Sequence, residues 1–111
     1  MCYYQGELEP SALDAKRCSH YICSFKGFHS DGSLTDISWK SPNQVENHLR
    51  GLVALRKINP DLHVVIAFGG AGGVSNEVWA SMASNEASRN RFAQNCLNYV
   101  RKHNLNGVGE F

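Results

Sequence analysis

The sequence lacks the features that mark membrane-spanning, nucleic-acid-binding and disordered chains. Its 111 residues contain no apolar run near the roughly 20 residues that span a bilayer. Eleven lysines and arginines face ten aspartates and glutamates, so there is no basic excess for nucleic acid or an anionic membrane surface. Hydrophobic residues make up 42% of the chain, and with a net charge of only +1 this excludes intrinsic disorder. One globular domain remains the expectation.

Metal motifs and an export signal are also missing. No two of the four cysteines have C-x-x-C spacing and the five histidines are scattered, so we expect neither a metal site nor a cofactor. An even number of cysteines suggests disulfides in a secreted protein and buried thiols in a cytosolic one. The first residues contain no charged-then-apolar signal segment, so we expect either a removed signal or an incomplete gene product.

Apolar patterning predicts alternating strands and helices. The predicted strands are Met1–Gly6, Tyr21–Phe25 and Leu62–Phe68, with a further strand beginning at Asn106–Val108. One helix is predicted to start at a Ser41 cap, with Pro42 and Gln44 in its first turn, and to stop at Asn59-Pro60. The others are one helical turn within Glu9–Lys16 and a helix over Glu86–His103. Because the 62–68 strand is continuously apolar, a parallel α/β sheet is predicted.

Several side chains carry a chemical interpretation beside a structural one. The glycines at 69–73 suit either a phosphate cradle or a tight exit turn, and their spacing matches no standard nucleotide motif. Trp39 and Trp79 suit either stacking on a ligand or packing. Cys23 and Cys96 are interpreted as buried thiols. The carboxylates form no spaced acid/base pair, and most are interpreted as turn, cap or solvated residues: Asp14, Asp31, Asp36, Asp61, Glu77, Glu86 and Glu110.

Six blocks, taken in order, resemble the opening of the glycoside hydrolase family 18 domain, the chitinase and chitinase-like family. They are Cys2-Tyr3-Tyr4 (C-Y-[YF]), residues 17–25 (L-C-T-H-I-x-Y-A-F), residues 59–70 (N-P-x-L-K followed by G-G), residues 79–82 (F-S-x-M), residues 90–92 (N-R-x-x-F, shortened by two) and residues 105–108 (F-D-G-[LIV]). The resemblance covers almost the entire chain.

The resemblance implies an α/β fold: the first three β/α units of a (β/α)₈ barrel, cut at the start of the fourth strand, over residues 1–111. It also implies a Cys2–Cys18 disulfide and a secreted, extracellular protein. Chitin or an N-acetylglucosamine oligosaccharide is the implied partner, with Tyr4, Phe25, Gly69 and Gly70 as candidate binding residues. Neither nucleic acid nor a membrane is an expected partner.

The sequence departs from the family where catalysis is expected. Family hydrolysis is substrate-assisted, with an acid and an orienting aspartate on a D-x-x-D-x-D-x-E strand. Asn106, Gly109 and Phe111 hold the three aspartate positions, and Glu110 is out of register for the acid. Two family tryptophans are also replaced, by residues 6–8 and Ala71. We therefore expect no catalytic residue and no hydrolysis by this chain alone. The alternatives are a lectin-like glycan-binding protein and a structural or interaction role through an open sheet edge.

Overall fold

The computed structural model describes residues 2–6, 8–37, 43–70 and 73–110. Glu110 is described by its backbone only. Five strands form one sheet: β1 (Cys2–Tyr4), β2 (His20–Phe28), β3 (Leu34–Asp36), β4 (His63–Phe68) and β5 (Gly107–Glu110). Three α-helices connect them: α1 (Gln44–Ala54), α2 (Asn76–Ser84) and α3 (Glu86–His103). Short 3-10 turns cover Pro10–Ala12 and Leu55–Lys57.

Four of the strands are parallel and follow the order β1-β2-β4-β5. The predicted parallel α/β sheet is therefore confirmed. The short β3 was not predicted; it pairs antiparallel with the end of β2. The second strand is also longer than the predicted Tyr21–Phe25, because the hairpin with β3 continues its pairing as far as Phe28.

The register of the parallel strands divides the sheet into two faces. Paired residues of neighbouring strands share a face, and successive residues alternate between faces. One face, here called the inner face, carries two rows: Tyr3, Ile22, Val65 and Gly107, then Ser24, Ala67 and Gly109. Tyr4, Cys23 and Ile66 lie on the opposite face and join the hydrophobic core beneath the helices.

The long helices each bury an apolar stripe, although Ile58, predicted to continue the first stripe, lies beyond α1 and is exposed. Helix α1 buries Val45, Leu49 and Leu52, and α3 buries Phe92, Cys96 and Tyr99. The predicted cap residues Ser41 and Pro42 lie outside the described residues. Helix α1 begins at Gln44, with Asn43 at the N-cap position in the left-handed region at φ 64°.

Helix α2 is a finding that the sequence interpretation missed. Ser75 caps it, its hydroxyl accepting a hydrogen bond from the Val78 N–H at 3.2 Å, and Met82 is its buried residue. The sequence analysis assigned no element between the glycines at 69–73 and Glu86. A capping serine followed by an apolar residue three positions later was the available signal.

Two further features bear on compartment and surroundings. A disulfide joins Cys2 at the start of β1 to Cys18 just before β2, with the Cα atoms 6.0 Å apart. Within the described ranges, no helix combines the length and the apolar character that crossing a membrane requires.

Candidate functional site

The glycine turn after β4 lies at the carboxyl ends of the central strands. Gly69 and Gly70 both have positive φ, 93° and 78°, which side-chain-bearing residues rarely adopt. The Gly69 N–H donates to the Lys26 carbonyl oxygen at 3.1 Å, which ties the turn to β2. Ala71 and Gly72 lie outside the described residues. The exit-turn interpretation of Gly69 and Gly70 accounts for this geometry.

Phe25 packs against this turn from the neighbouring strand. A Cβ atom on Gly70 would lie only 2.8 Å from Cδ2 of the Phe25 ring, so the turn needs glycine to admit the ring. Phe25 follows a cis peptide bond, and the β2–β4 register shifts between Ser24 and Lys26. The structure thus brings together three of the four predicted binding residues, Phe25, Gly69 and Gly70, at the carboxyl end of the sheet.

The fourth predicted binding residue, Tyr4, does not join them. Its side chain is 2% exposed on the helix face, with its ring edge-on to His48 at 5.1 Å and its hydroxyl donating to the Leu8 carbonyl. Buried in this way, Tyr4 has no surface to offer a ligand. Tyr3 is 50% exposed and belongs to the inner face, so it is the aromatic residue of β1 that a ligand can reach.

A buried lysine lies directly beneath the glycine turn. Lys26 is 6% exposed, and its Nζ is 2.8 Å from Oδ1 of Asp36 on β3 and 2.9 Å from Oε1 of Glu46 on α1. Its Nζ also lies 5.5 Å from the centroid of the Tyr99 ring on α3. The lysine therefore ties two strands and two helices together, and we call Lys26, Asp36, Glu46 and Tyr99 the Lys26 cluster.

The Lys26 cluster shifts the titration of two of its members. Burial on its own lowers the pKa of Lys26, but the hydrogen bonds and charges of Asp36 and Glu46 outweigh it and raise this pKa above its ordinary value. Burial, followed by the charge of Glu46, raises the pKa of the Tyr99 hydroxyl far above its usual value. Lys26 is thus held as a cation and Tyr99 as a neutral phenol across the physiological range.

The carboxylates give one correction to the sequence interpretation. Asp36 is an ion-pair partner of buried Lys26 rather than a turn, cap or solvated residue. The sequence analysis did not single out Lys26 or Glu46. A lysine inside an otherwise apolar strand was the signal that could have indicated the cluster, because a buried charge needs a partner.

Most of the other carboxylates have the local roles that were predicted for them. Asp14 and Asp31 accept hydrogen bonds from backbone N–H groups two residues later, both at 2.9 Å. Glu77 and Glu86 lie in the first turns of α2 and α3, where negative charge favours the helix. Across the described ranges, no three histidine, cysteine, aspartate or glutamate residues are grouped in a way that could hold a metal ion.

Trp79 and the two thiols are packing residues. The Trp79 ring lies edge-on to Phe28 at 4.6 Å, within the aromatic group that continues to Phe92 and Phe68. Cys23 and Cys96 are buried. Trp39 lies outside the described residues.

The resemblance aligns the family's catalytic motif with β5. Asn106, at the first motif position, directly precedes the amino end of this strand. The Gly69–Gly70 turn lies at the opposite end of the sheet, where the parallel strands have their carboxyl ends. The N–H of Asn106 donates to the Val64 carbonyl at 2.8 Å, and its Oδ1 accepts from the Val64 N–H at 2.8 Å and from Arg56. Gly109, at the second position, pairs with Ala67 in the inner face. Glu110 pairs with Phe68.

Comparison with known families agrees with this arrangement. The family model for glycosyl hydrolases family 18 matches residues 1–109. The chain belongs to family 18. A Margaritifera margaritifera protein that carries a chitinase name is 26% identical over 119 residues, which cover 97% of this chain and 24% of that protein. The chain thus spans about a quarter of the length of the curated relatives it matches.

Solved structures show which part of the family fold the chain has. A group IV chitinase of Ostrinia furnacalis, described in complex with allosamidin, superposes with a TM-score of 0.85 at 22% identity over 98% of this chain and 31% of that one. Human YKL-39, described as a pseudo-chitinase with retained chitooligosaccharide binding, superposes with a TM-score of 0.79 at 23% identity, with the same coverage of both chains. These matches confirm the predicted fold, the first β/α units of a (β/α)₈ barrel.

Proposed function

We propose that this chain forms part of a groove that binds chitin or N-acetylglucosamine oligosaccharides, and that by itself it does not hydrolyse them. The observation that carries the non-catalytic part of the proposal is Gly109. It lies in the inner face of a family 18 sheet at a position where the family has an aspartate, and it has no side chain.

The binding part of the proposal rests on two aromatic side chains. In (β/α)₈ barrels the sites lie at the carboxyl ends of the strands, where Phe25 lies against the Gly69–Gly70 turn. Tyr3 is half-exposed on the inner face. Aromatic rings give sugars an apolar contact surface, so Tyr3 and Phe25 are the residues proposed to contact the glycan.

The non-catalytic part rests on the chemistry that β5 lacks. Substrate-assisted hydrolysis needs an acid at the glycosidic oxygen and a carboxylate that orients the acetamide. The amide of Asn106 is engaged at the amino end of the strand, and Gly109 supplies no carboxylate. Among residues 107–110 the strand therefore offers no pair of groups for this reaction.

The Cys2–Cys18 disulfide supports an extracellular location. Disulfides persist in oxidising compartments and are rare in the cytosol. Chitin is also an extracellular polymer. We therefore propose secretion, and the balanced charge gives no support for nucleic acid or a membrane as a partner.

Titration with N-acetylglucosamine oligosaccharides, followed by NMR or calorimetry, tests the binding part. Tyr3→Ala is expected to weaken binding by about 1 kcal/mol, a several-fold rise in Kd, through loss of the aromatic contact. Ile58→Ala is the matched control. Ile58 is apolar and 61% exposed, but it precedes the amino end of β4 and so lies at the end of the sheet opposite the proposed groove. Equal affinities for the two variants, or no binding by the unmodified chain, would contradict the glycan groove.

A fluorogenic chitobioside tests the non-catalytic part. The purified chain is expected to give no turnover above a mock purification from the same host. Turnover that scales with protein concentration and persists through successive columns would contradict it.

A structural or interaction role is the second candidate, and one observation favours it. An open apolar cavity of about 480 Å³ lies between α3 and β5, lined by Phe92, Cys96 and Val108 among others. Leu97 and Val108 beside it are 42% and 43% exposed. Failure of glycan binding together with concentration-dependent association in analytical ultracentrifugation would favour this role over the glycan groove.

A further inference from the structure

The side-chain oxygen of Asn106 is held by two donors, one of which also fixes the backbone nearby. Its Oδ1 accepts hydrogen bonds from the Val64 N–H and from Nη2 of Arg56, and Nη1 of the same arginine donates to the Asn104 carbonyl. Arg56 also donates to the Leu62 carbonyl through Nε. We call Arg56, Val64 and Asn106 the Asn106 clamp. It fixes the amide of an otherwise exposed residue.

The backbone nitrogen of the next residue, Gly107, lies on the side of β5 that faces away from β4. Because the Asn106 N–H points to β4, strand alternation directs the Gly107 N–H to the other side. Among the described residues β5 pairs with β4 alone, so this N–H has no strand partner there. A Cβ atom built on Gly107 would meet nothing within 4 Å. The surroundings are therefore uncrowded.

An asparagine followed by glycine is the dipeptide most prone to spontaneous deamidation, because glycine does not shield its own nitrogen from the neighbouring amide. Asn106-Gly107 is the only such pair in the sequence. The structure combines a susceptible nitrogen on the side of β5 away from β4 with an amide that the clamp holds in place.

We propose that Asn106 is a deamidation site whose rate in the folded protein is controlled by the Asn106 clamp. The Gly107 nitrogen attacks Cγ of Asn106, a C–N bond forms, and the side-chain amide leaves as ammonia with the proton from Gly107. Water then opens the succinimide. Addition at Cγ gives aspartate, and addition at the backbone carbonyl gives isoaspartate.

The two products differ in their fit to the clamp. Aspartate keeps the Oδ1 acceptor for Val64 and Arg56 and adds a negative charge beside the guanidinium, which strengthens these hydrogen bonds. Isoaspartate inserts an extra methylene into the main chain and shifts Gly107 out of its pairing with Val65. Conversion to aspartate therefore preserves β5, and conversion to isoaspartate disrupts its start.

Peptide mass analysis of the whole chain, incubated folded and in urea, tests the proposal. Deamidation at residue 106 is read from the mass gained when an NH₂ group is replaced by OH, and isoaspartate from enzymatic methylation. We expect the folded chain to convert more slowly than the unfolded chain. Arg56→Ala is expected to raise the deamidation rate of the folded chain about tenfold, because it removes hydrogen bonds from a charged donor. Arg56→Lys keeps the charge with fewer donors in place, so its deamidation rate should lie between those of the folded unmodified chain and folded Arg56→Ala.

Gly107→Ala is the matched control. The space around Gly107 admits a methyl group, so this variant should fold while its shielded nitrogen slows conversion in both states. Circular dichroism shows whether Arg56→Ala remains folded. A raised deamidation rate in a variant that remains folded reports the local release of the Asn106 side chain, and the rate of Arg56→Lys gives a second measure of the same effect. Equal folded rates for the unmodified chain, Arg56→Ala and Arg56→Lys would overturn the proposal. Equal rates for the folded and unfolded chain, or earlier conversion at another asparagine, would overturn it as well.

Discussion

Lys26 on β2 and Glu46 on α1 form a buried ion pair, with Nζ and Oε1 2.9 Å apart. The side chains are 8% and 20% exposed, so both charges have lost most of their water. Such a pair is retained only when its partners compensate for the lost hydration. Asp36 at 2.8 Å and the Tyr99 ring complete this compensation.

Replacing Lys26 is predicted to be strongly destabilising. Lys26→Met keeps the apolar stem but leaves Asp36 and Glu46 without their cation, and breaking a buried pair costs about 3–5 kcal/mol. Denaturant unfolding followed by circular dichroism measures the loss. The control is Lys57→Met, since Lys57 is exposed and should stay within about 0.5 kcal/mol of the unmodified chain. Equal midpoints for the two variants would show that the cluster contributes no stability.

The Lys26 cluster also predicts an alkaline loss of stability. The pKa values of Lys26 and Tyr99 are both raised, so the folded chain keeps these protons to higher pH than the unfolded chain does. Their contribution is complete below the unfolded pKa values, about 10 for tyrosine and 10.4 for lysine, and is lost as the pH rises through the folded values. Urea unfolding at a series of pH values above neutrality should therefore give a falling free energy from about pH 10. Tyr99→Phe should make the fall shallower, and an unchanged slope would contradict the role of Tyr99.

Much of the fold could be predicted because burial leaves a periodic mark on long elements. The stripe of Phe92, Cys96 and Tyr99 predicts α3, and the continuous apolar run at 64–68 predicts β4. Strand β3 is three residues long and has no such mark. The same limit applies to the choice between Tyr3 and Tyr4. A three-residue strand has no period that tells its two faces apart, so only the pairing with β2 shows that Tyr3 faces inward.

The candidate site was less predictable than the fold. Family resemblance placed Phe25, Gly69 and Gly70 together, and the structure explains why both glycines are needed. The Lys26 cluster joins residues that are 10 and 20 positions apart, so only tertiary packing brings its charges into contact. Asn106 matched a family aspartate in sequence, but its role as an acceptor for Val64 and Arg56 depends on where β5 begins.

Gly70→Ala is predicted to destabilise the turn for two reasons. Left-handed backbone costs about 1–2 kcal/mol for a residue with a side chain, and the new Cβ would meet the Phe25 ring at 2.8 Å. The free energy of unfolding in urea measures the sum. Gly107→Ala is the control, because that position is uncrowded. Adding Phe25→Leu to Gly70→Ala should recover part of the loss by removing the ring, and no recovery would mean that the backbone conformation alone accounts for it.

Reduction of the Cys2–Cys18 disulfide is predicted to lower the melting temperature without changing the buried thiols. The bridge closes a loop with a sequence separation of 16, and a loop of this length is worth about 3 kcal/mol in the unfolded chain. In a domain of this size that corresponds to a shift on the order of 10 °C or more. Thiol titration in denaturant without reductant should find two thiols, Cys23 and Cys96, and four after reduction. The double variant Cys2→Ser/Cys18→Ser should melt like the reduced chain and be insensitive to reductant. Four thiols before reduction would contradict the bridge and remove the structural support for secretion.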